Sequence, residues 1–186
     1  MKVLVVSSDS AENALFTEDC FVRVVSGVGK ENALLATIMN CSEDVDLIMN
    51  VGTCGAKKGA ALIKDVFKIK SVINRDADLT KFHLPPYTTL DSKRGIMGEL
   101  NISDEGLTIA SSDSFSETII DKAELYDMEA YGVALAAKSL NKDVVIIKGV
   151  SDIVGDNIQL KDYKQVLKEI AILIHEKALS EVLRRS

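Results

Sequence analysis

The chain has 186 residues, 47% of them hydrophobic and 27% charged, enough apolar material for one well-buried domain and too much for a disordered chain. Its formal net charge of −6, without Lys/Arg clusters interleaved with aromatics, argues against a nucleic-acid partner, and no run of about 18 apolar residues suggests a membrane span. Cys20, Cys41 and Cys54 lack CxxC spacing, only His83 and His175 accompany them, and the N-terminal stretch lacks an export pattern, so a cytoplasmic protein without disulfides, metal or cofactor is expected.

In chain order, residues 2–6 form a short β-branched run that breaks at Ser7-Ser8-Asp9-Ser10, as a buried strand entering a loop would. A second run, 21–25, leads through Ser26-Gly27-Val28-Gly29 into Ala33, Leu34, Thr37, Ile38 and Cys41 at helical spacing. Residues 45–51 read as another buried strand, ending at Gly52-Thr53-Cys54-Gly55, where two glycines permit backbone angles closed to other residues. Residues 65–73 suit a strand, Pro85-Pro86 marks a loop, 107–110 a short strand, 128–140 a helix and 144–150 a strongly apolar strand. The final segment sets Tyr163, Val166, Leu167, Ile170, Leu173, Ile174 and Val182 on one face of an amphipathic helix. Apolar strands alternating with helices predict an α/β fold, a three-layer αβα sandwich around a mixed, largely parallel sheet, formed by residues 1–186 as one domain.

In such folds ligands gather at the carboxyl ends of the strands. Two nucleotide readings of the glycine loops fail there. Asn32 replaces the third glycine of a dinucleotide fingerprint, and Val24 and Glu31 break the P-loop pattern around Gly29-Lys30. What remains is a set of carboxylates on separate strand ends: Glu12, Glu129 and Asp152. Converging carboxylates suit cleavage of a glycosidic bond through an oxocarbenium-like transition state, one protonating the leaving group and one preparing water. Each also has a plainer reading, as a cap, a first-turn helix residue or a surface charge.

The run Val25-Ser26-Gly27-Val28-Gly29-Lys30-Glu31-Asn32-Ala33, then Asn50-Val51-Gly52-Thr53-Cys54-Gly55, Ala110-Ser111-Ser112-Asp113-Ser114-Phe115, Asp127-Met128-Glu129-Ala130 and Gly149-Val150-Ser151-Asp152, resembles in order the motifs of the nucleoside phosphorylase and nucleosidase superfamily. Within it the chain is most similar to the 5′-methylthioadenosine/S-adenosylhomocysteine nucleosidases. The resemblance implies that Asp152, backed by Ser151, protonates the purine N7; that Glu129 binds the ribose hydroxyls, with Met128 packed on the sugar; and that Glu12 activates water. It further implies that Phe115 stacks on the base, with the backbone of Ser116 at the adenine edge, that Thr53 faces the water or anion site, and that Lys148 stands where the family has arginine. Residues 76–82 resemble the loop closing over the substrate, so Phe82 and Leu79 are expected to wall the 5′ side. Lys30, Lys57 and Lys58 are read as solvated.

Hydrolysis is favoured over phosphorolysis because a phosphate nucleophile calls for convergent arginines, whereas Asn50 precedes the glycine turn, as in nucleosidases. The chain is short for the family, chiefly between the first strand and Val25, so the 5′ specificity is open. The expected protein is a homodimer acting on a small purine nucleoside and releasing adenine. The alternatives are a purine nucleoside phosphorylase and a nucleoside-binding homologue with impaired catalysis.

Overall fold

A computed structural model describes residues 1–93, 95–115, 117–156 and 164–185, together with the backbone of 160–163. The elements in chain order are β1 Val3–Ser7, β2 Phe21–Val25, α1 Lys30–Asn40, β3 Leu47–Ala56, β4 Val66–Asn74, β5 Thr89–Asp91, β6 Gly95–Met97, β7 Leu100–Asn101, β8 Leu107–Ser111, β9 Leu125–Asp127, α2 Ala130–Leu140, β10 Asp143–Ile153 and α3 Leu160–Arg185. All five positions of β1 are buried, which explains its unbroken apolar run: alternate residues face opposite layers. Val3 and Val5 pack with Ile170, Ile174 and Ala178 of α3, while Leu4 and Val6 pack with Ala33 of α1 and with Val133 and Ala137 of α2. Helices therefore cover both faces, as a three-layer sandwich requires.

The sheet is mixed. β2, β1, β3 and β10 run parallel, β10 pairs antiparallel with β4, and β4, β8 and β9 continue in parallel. β9 then returns antiparallel onto β3, so β3, β10, β4, β8 and β9 close into a ring. The length of β3 makes closure possible. One edge pairs with β1 over Leu47–Asn50 and, once β1 has ended, with β9 at Gly55 and Ala56.

The expected strands and helices are present, and four short strands join them: β5, β6, β7 and β9. The buried stripe of α1 runs through Lys30, Ala33 and Thr37, rather than through Ile38, which is 40% exposed. The helix is turned this way because Lys30 is anchored inward by two carboxylates and because α2 approaches closely at Gly132. A Cβ on Gly132 would lie 2.1 Å from the Lys30 carbonyl oxygen. In α3 the buried apolar positions among the described residues are Ile170, Ile174, Ala178 and Val182, whereas Leu173 is turned outward; the Tyr163 side chain lies outside the described residues. No helix among the described residues is long and apolar enough to cross a membrane.

Candidate active site

The carboxyl ends of β3, β8, β9 and β10 surround a cleft of about 290 Å³. Asp152 enters it from a β-bulge. The pairing of β10 with β3 shifts between Val150 and Asp152, leaving Ser151 as the extra residue, and such an insertion re-aims the side chain that follows it. Ser151 Oγ donates to Asp152 Oδ1 at 2.6 Å, and the other oxygen, Oδ2, lies 3.0 Å from where a Cβ on Gly55 would stand. Gly55 thus leaves the space that the carboxylate fills.

Glu129 is the N-cap residue of α2, but its side chain does not cap. Asp127 does that instead: its Oδ2 accepts from Ala130 N at 2.9 Å and its Oδ1 from Ser111 Oγ at 2.6 Å. The Glu129 carboxylate is left to face the cleft, accepting one bond from Gly29 N at 3.2 Å. Behind it, fully buried, Lys148 lies 2.8 Å from Asp127 Oδ2 and 3.9 Å from Glu129 Oε2. Burial opposes the Lys148 charge, yet Asp127, Glu129 and Glu12 outweigh it and hold the ammonium protonated. Because that charge is committed mainly to Asp127, burial prevails at Glu129, whose carboxyl is pushed up to about 7, with Lys148 opposing and Asp127 and Glu12 reinforcing the rise.

Glu12 is anchored at the sheet end. Its Oε1 accepts from Thr53 N at 2.9 Å and Thr53 Oγ1 at 3.3 Å; its Oε2 accepts from Ser8 N at 3.1 Å, Ser8 Oγ at 2.8 Å and Asp9 N at 3.3 Å. A Cβ on Gly52, at φ +153°, would meet Glu12 Oε1 at 2.8 Å, so glycine is required for the carboxylate to reach Thr53. Glu12 itself borders the cleft from behind Ser8 and Thr53, both of which line it.

Met128 and Phe115 also line the cleft, Phe115 with 80% of its surface exposed. Ser116 lies outside the described residues. Leu79 and Phe82 are not part of the cleft wall of this chain, and Phe82 is 74% exposed. The start of their segment is held elsewhere: Lys30 Nζ pairs with Asp76 and, at 2.7 Å, with Asp113. Lys30 is consequently buried rather than solvated, a correction to the sequence reading, and the two carboxylates overcome the cost of burial to keep it charged. Lys58 is exposed, as expected.

Three residues that shape the cleft have no assigned role in the reading of the sequence. Arg75 donates to the carbonyls of Thr118 at 2.8 Å and Ser114 at 3.3 Å and stands over the Tyr126 ring at 5.5 Å, fastening the segment that carries Phe115. Tyr126 accepts from Ile120 N at 3.0 Å. Asp127 carried a signal, its place in the Asp-Met-Glu-Ala run; Arg75 and Tyr126 carried none.

A family model described as the phosphorylase superfamily matches residues 15–183. The chain belongs to the phosphorylase superfamily. This superfamily member is 28% identical over 183 residues to a 5′-methylthioadenosine/S-adenosylhomocysteine nucleosidase of Bacillus subtilis, the match covering 86% of the chain and 79% of the relative. It is 32% identical over 158 residues to a 5′-methylthioadenosine nucleosidase of Arabidopsis thaliana, covering 77% of the chain and 58% of the relative. Among solved structures it superposes with a TM-score of 0.79 on the 5′-methylthioadenosine/S-adenosylhomocysteine nucleosidase of Neisseria meningitidis in complex with methylthio-immucillin-A. The two are 18% identical, and the match covers 100% of this chain and 99% of the other, a likeness of fold.

Proposed function

We propose that the chain is a nucleosidase that hydrolyses the N-glycosidic bond of a 5′-modified adenosine of the methylthioadenosine/S-adenosylhomocysteine type and releases adenine. The observation that carries this reading is the convergence of Asp152, Glu129, Met128 and Phe115 on one cleft, with Glu12 adjoining it through Thr53. The names of the relatives from Bacillus subtilis and Arabidopsis thaliana agree with it. Asp152 protonates N7 so that adenine leaves neutral, with Ser151 orienting the carboxyl. Glu129, once ionised, binds the ribose hydroxyls and steadies the cationic sugar. Glu12 directs water to the anomeric carbon, Thr53 facing that site, and Lys148 keeps Glu129 in place. Phe115 stacks on the base, with the Ser116 backbone at its edge. Hydrolysis is preferred to phosphorolysis because Arg75, the one arginine among the described lining residues, is already committed to two carbonyls and a ring.

Residues 1–186 act as one domain and form a cytoplasmic homodimer, in which the exposed Phe82 and its neighbour Leu79 reach the partner's cleft over the first atoms of the 5′ substituent. The test is incubation of the protein with methylthioadenosine, adenosylhomocysteine, adenosine and inosine, with and without phosphate, followed by chromatography for free base. Adenine release without phosphate is expected, reduced by about 10²–10⁴-fold in a folded Asp152→Asn protein. A strict phosphate requirement, or near-normal release by that variant, refutes the reading. Sedimentation of the same samples reads the dimer, and a monomer with full activity refutes a shared site.

A further inference from the structure

The segment that carries Phe115 is held by charges more than by packing. It leaves β8 at Ser111, and residues 113–115 and 117–119 are all exposed, so burial contributes little to fixing its position. Its anchors come from a neighbouring strand end and from α1. Arg75, just past β4, donates to the carbonyls of Ser114 and Thr118. From the other side Lys30 grips the Asp113 carboxylate by both oxygens: Oδ1 accepts from Lys30 N at 2.8 Å, and Oδ2 lies 2.7 Å from Lys30 Nζ. Such charge-assisted bonds are the strong ones.

Asp76 completes the cluster. Its Oδ2 accepts from Asp113 N at 2.8 Å and from Lys30 Nζ. The two carboxylates repel each other, so the ammonium between them decides whether the pair draws together or pushes apart. The Lys30 side chain is only 9% exposed and does not line the cleft, so it meets no substrate. A buried ion pair adds little net stability once the loss of water is counted; what this one does is select a single position for a loosely packed segment. Resting on the reading of Phe115 as the stacking partner of the base, we infer that Lys30 is a positioning residue of the site: its ammonium draws Asp113 and Asp76 together and so fixes the backbone two residues before Phe115.

The test is calorimetric titration with adenine, alongside kcat and KM for methylthioadenosine. Phe115→Ala should weaken adenine binding about tenfold, the worth of one stacked base. Lys30→Met should weaken it comparably, raise KM more than it lowers kcat, and make the further change Phe115→Ala nearly silent, because the ring is already displaced. Adding Asp76→Asn to Lys30→Met removes the repulsion and should recover most of the loss. Unchanged affinity in Lys30→Met, losses from Lys30→Met and Phe115→Ala that multiply, or a loss that Asp76→Asn does not relieve overturns the inference; the last two mark Lys30 as a support of the fold alone. If Lys30→Met does not fold, Asp113→Ala, which removes an exposed carboxylate and leaves Lys30 paired with Asp76, must show the same weakening and the same silence of Phe115→Ala, or the inference fails. Adenine binding that Phe115→Ala leaves intact removes the premise about Phe115 and the inference with it. A parent that binds adenine but releases none from any nucleoside overturns the nucleosidase reading alone, and the titrations still decide Lys30; a parent that does not bind adenine overturns both.

Discussion

Replacing Glu129 by glutamine should make the protein more stable and less active, and the two effects should depend on pH in opposite ways. The carboxyl is buried, receives a single backbone bond at 3.2 Å, and stands 3.9 Å from a lysine committed to Asp127 at 2.8 Å. Its folded value is about 7 against an ordinary 4.5. Between those values the folded chain keeps a proton that the unfolded chain has lost, so stability falls as pH rises from 4.5 to 7 and stays lower above it. At about 1.4 kcal/mol per pH unit the whole loss is about 3 kcal/mol. Urea denaturation should therefore show the Glu129→Gln protein equal to the parent near pH 4.5 and up to about 3 kcal/mol more stable at pH 8. In activity the sign reverses. The parent's kcat/KM for adenine release should fall as pH drops through about 7 and the carboxylate is neutralised, and the variant should be slow without that step. A variant less stable than the parent at pH 8, or a parental profile lacking any inflection near neutrality, would show that burial does not govern this group.

Two other substitutions test the support behind the site. Lys148→Met leaves Asp127 and Glu129 buried without their cation, and should cost about 3–5 kcal/mol in urea denaturation at pH 8; a loss below about 1 kcal/mol would mean that the lysine is dispensable. Gly52→Ala drives a methyl group against Glu12 Oε1 and should displace that carboxylate from Thr53, lowering kcat by about tenfold or more while calorimetric affinity for an unreactive nucleoside analogue changes little. Equal losses in both would assign Glu12 to binding rather than to water activation.

Much of the framework is legible in the chain because buried parallel strands write themselves as apolar runs, as at Val3–Ser7 and over residues 47–51. β3 nonetheless continues to Ala56 through the 52–55 stretch that reads as its end, where pairing with β10 and β9 holds a polar, glycine-containing segment extended. Asp152 and Glu129 are legible for a related reason: each follows such a run or begins a helix, where strand-end chemistry is to be sought. Lys30 is not. Its partners Asp76 and Asp113 lie 46 and 83 residues away, and no local pattern announces that a lysine in a helix's first turn will be buried between them. β9 is hidden likewise, since three residues carry no period and their role arises only when the ring closes onto β3.

The first residues of α1 hold more than their own helix. Gly29 N reaches Glu129, Lys30 N reaches Asp113, and the Lys30 side chain joins Asp113 to Asp76. Three segments distant in the chain are thus indexed to one short stretch of backbone, so a tilt of this helix moves the Glu129 carboxylate and the segment bearing Phe115 together. Attempts to reshape the cleft will meet that linkage: alterations at residues 76 or 113 will be felt at Glu129 through two adjacent peptide units, those that carry Gly29 N and Lys30 N, whereas the α3 side of the molecule offers a surface that can be rebuilt independently.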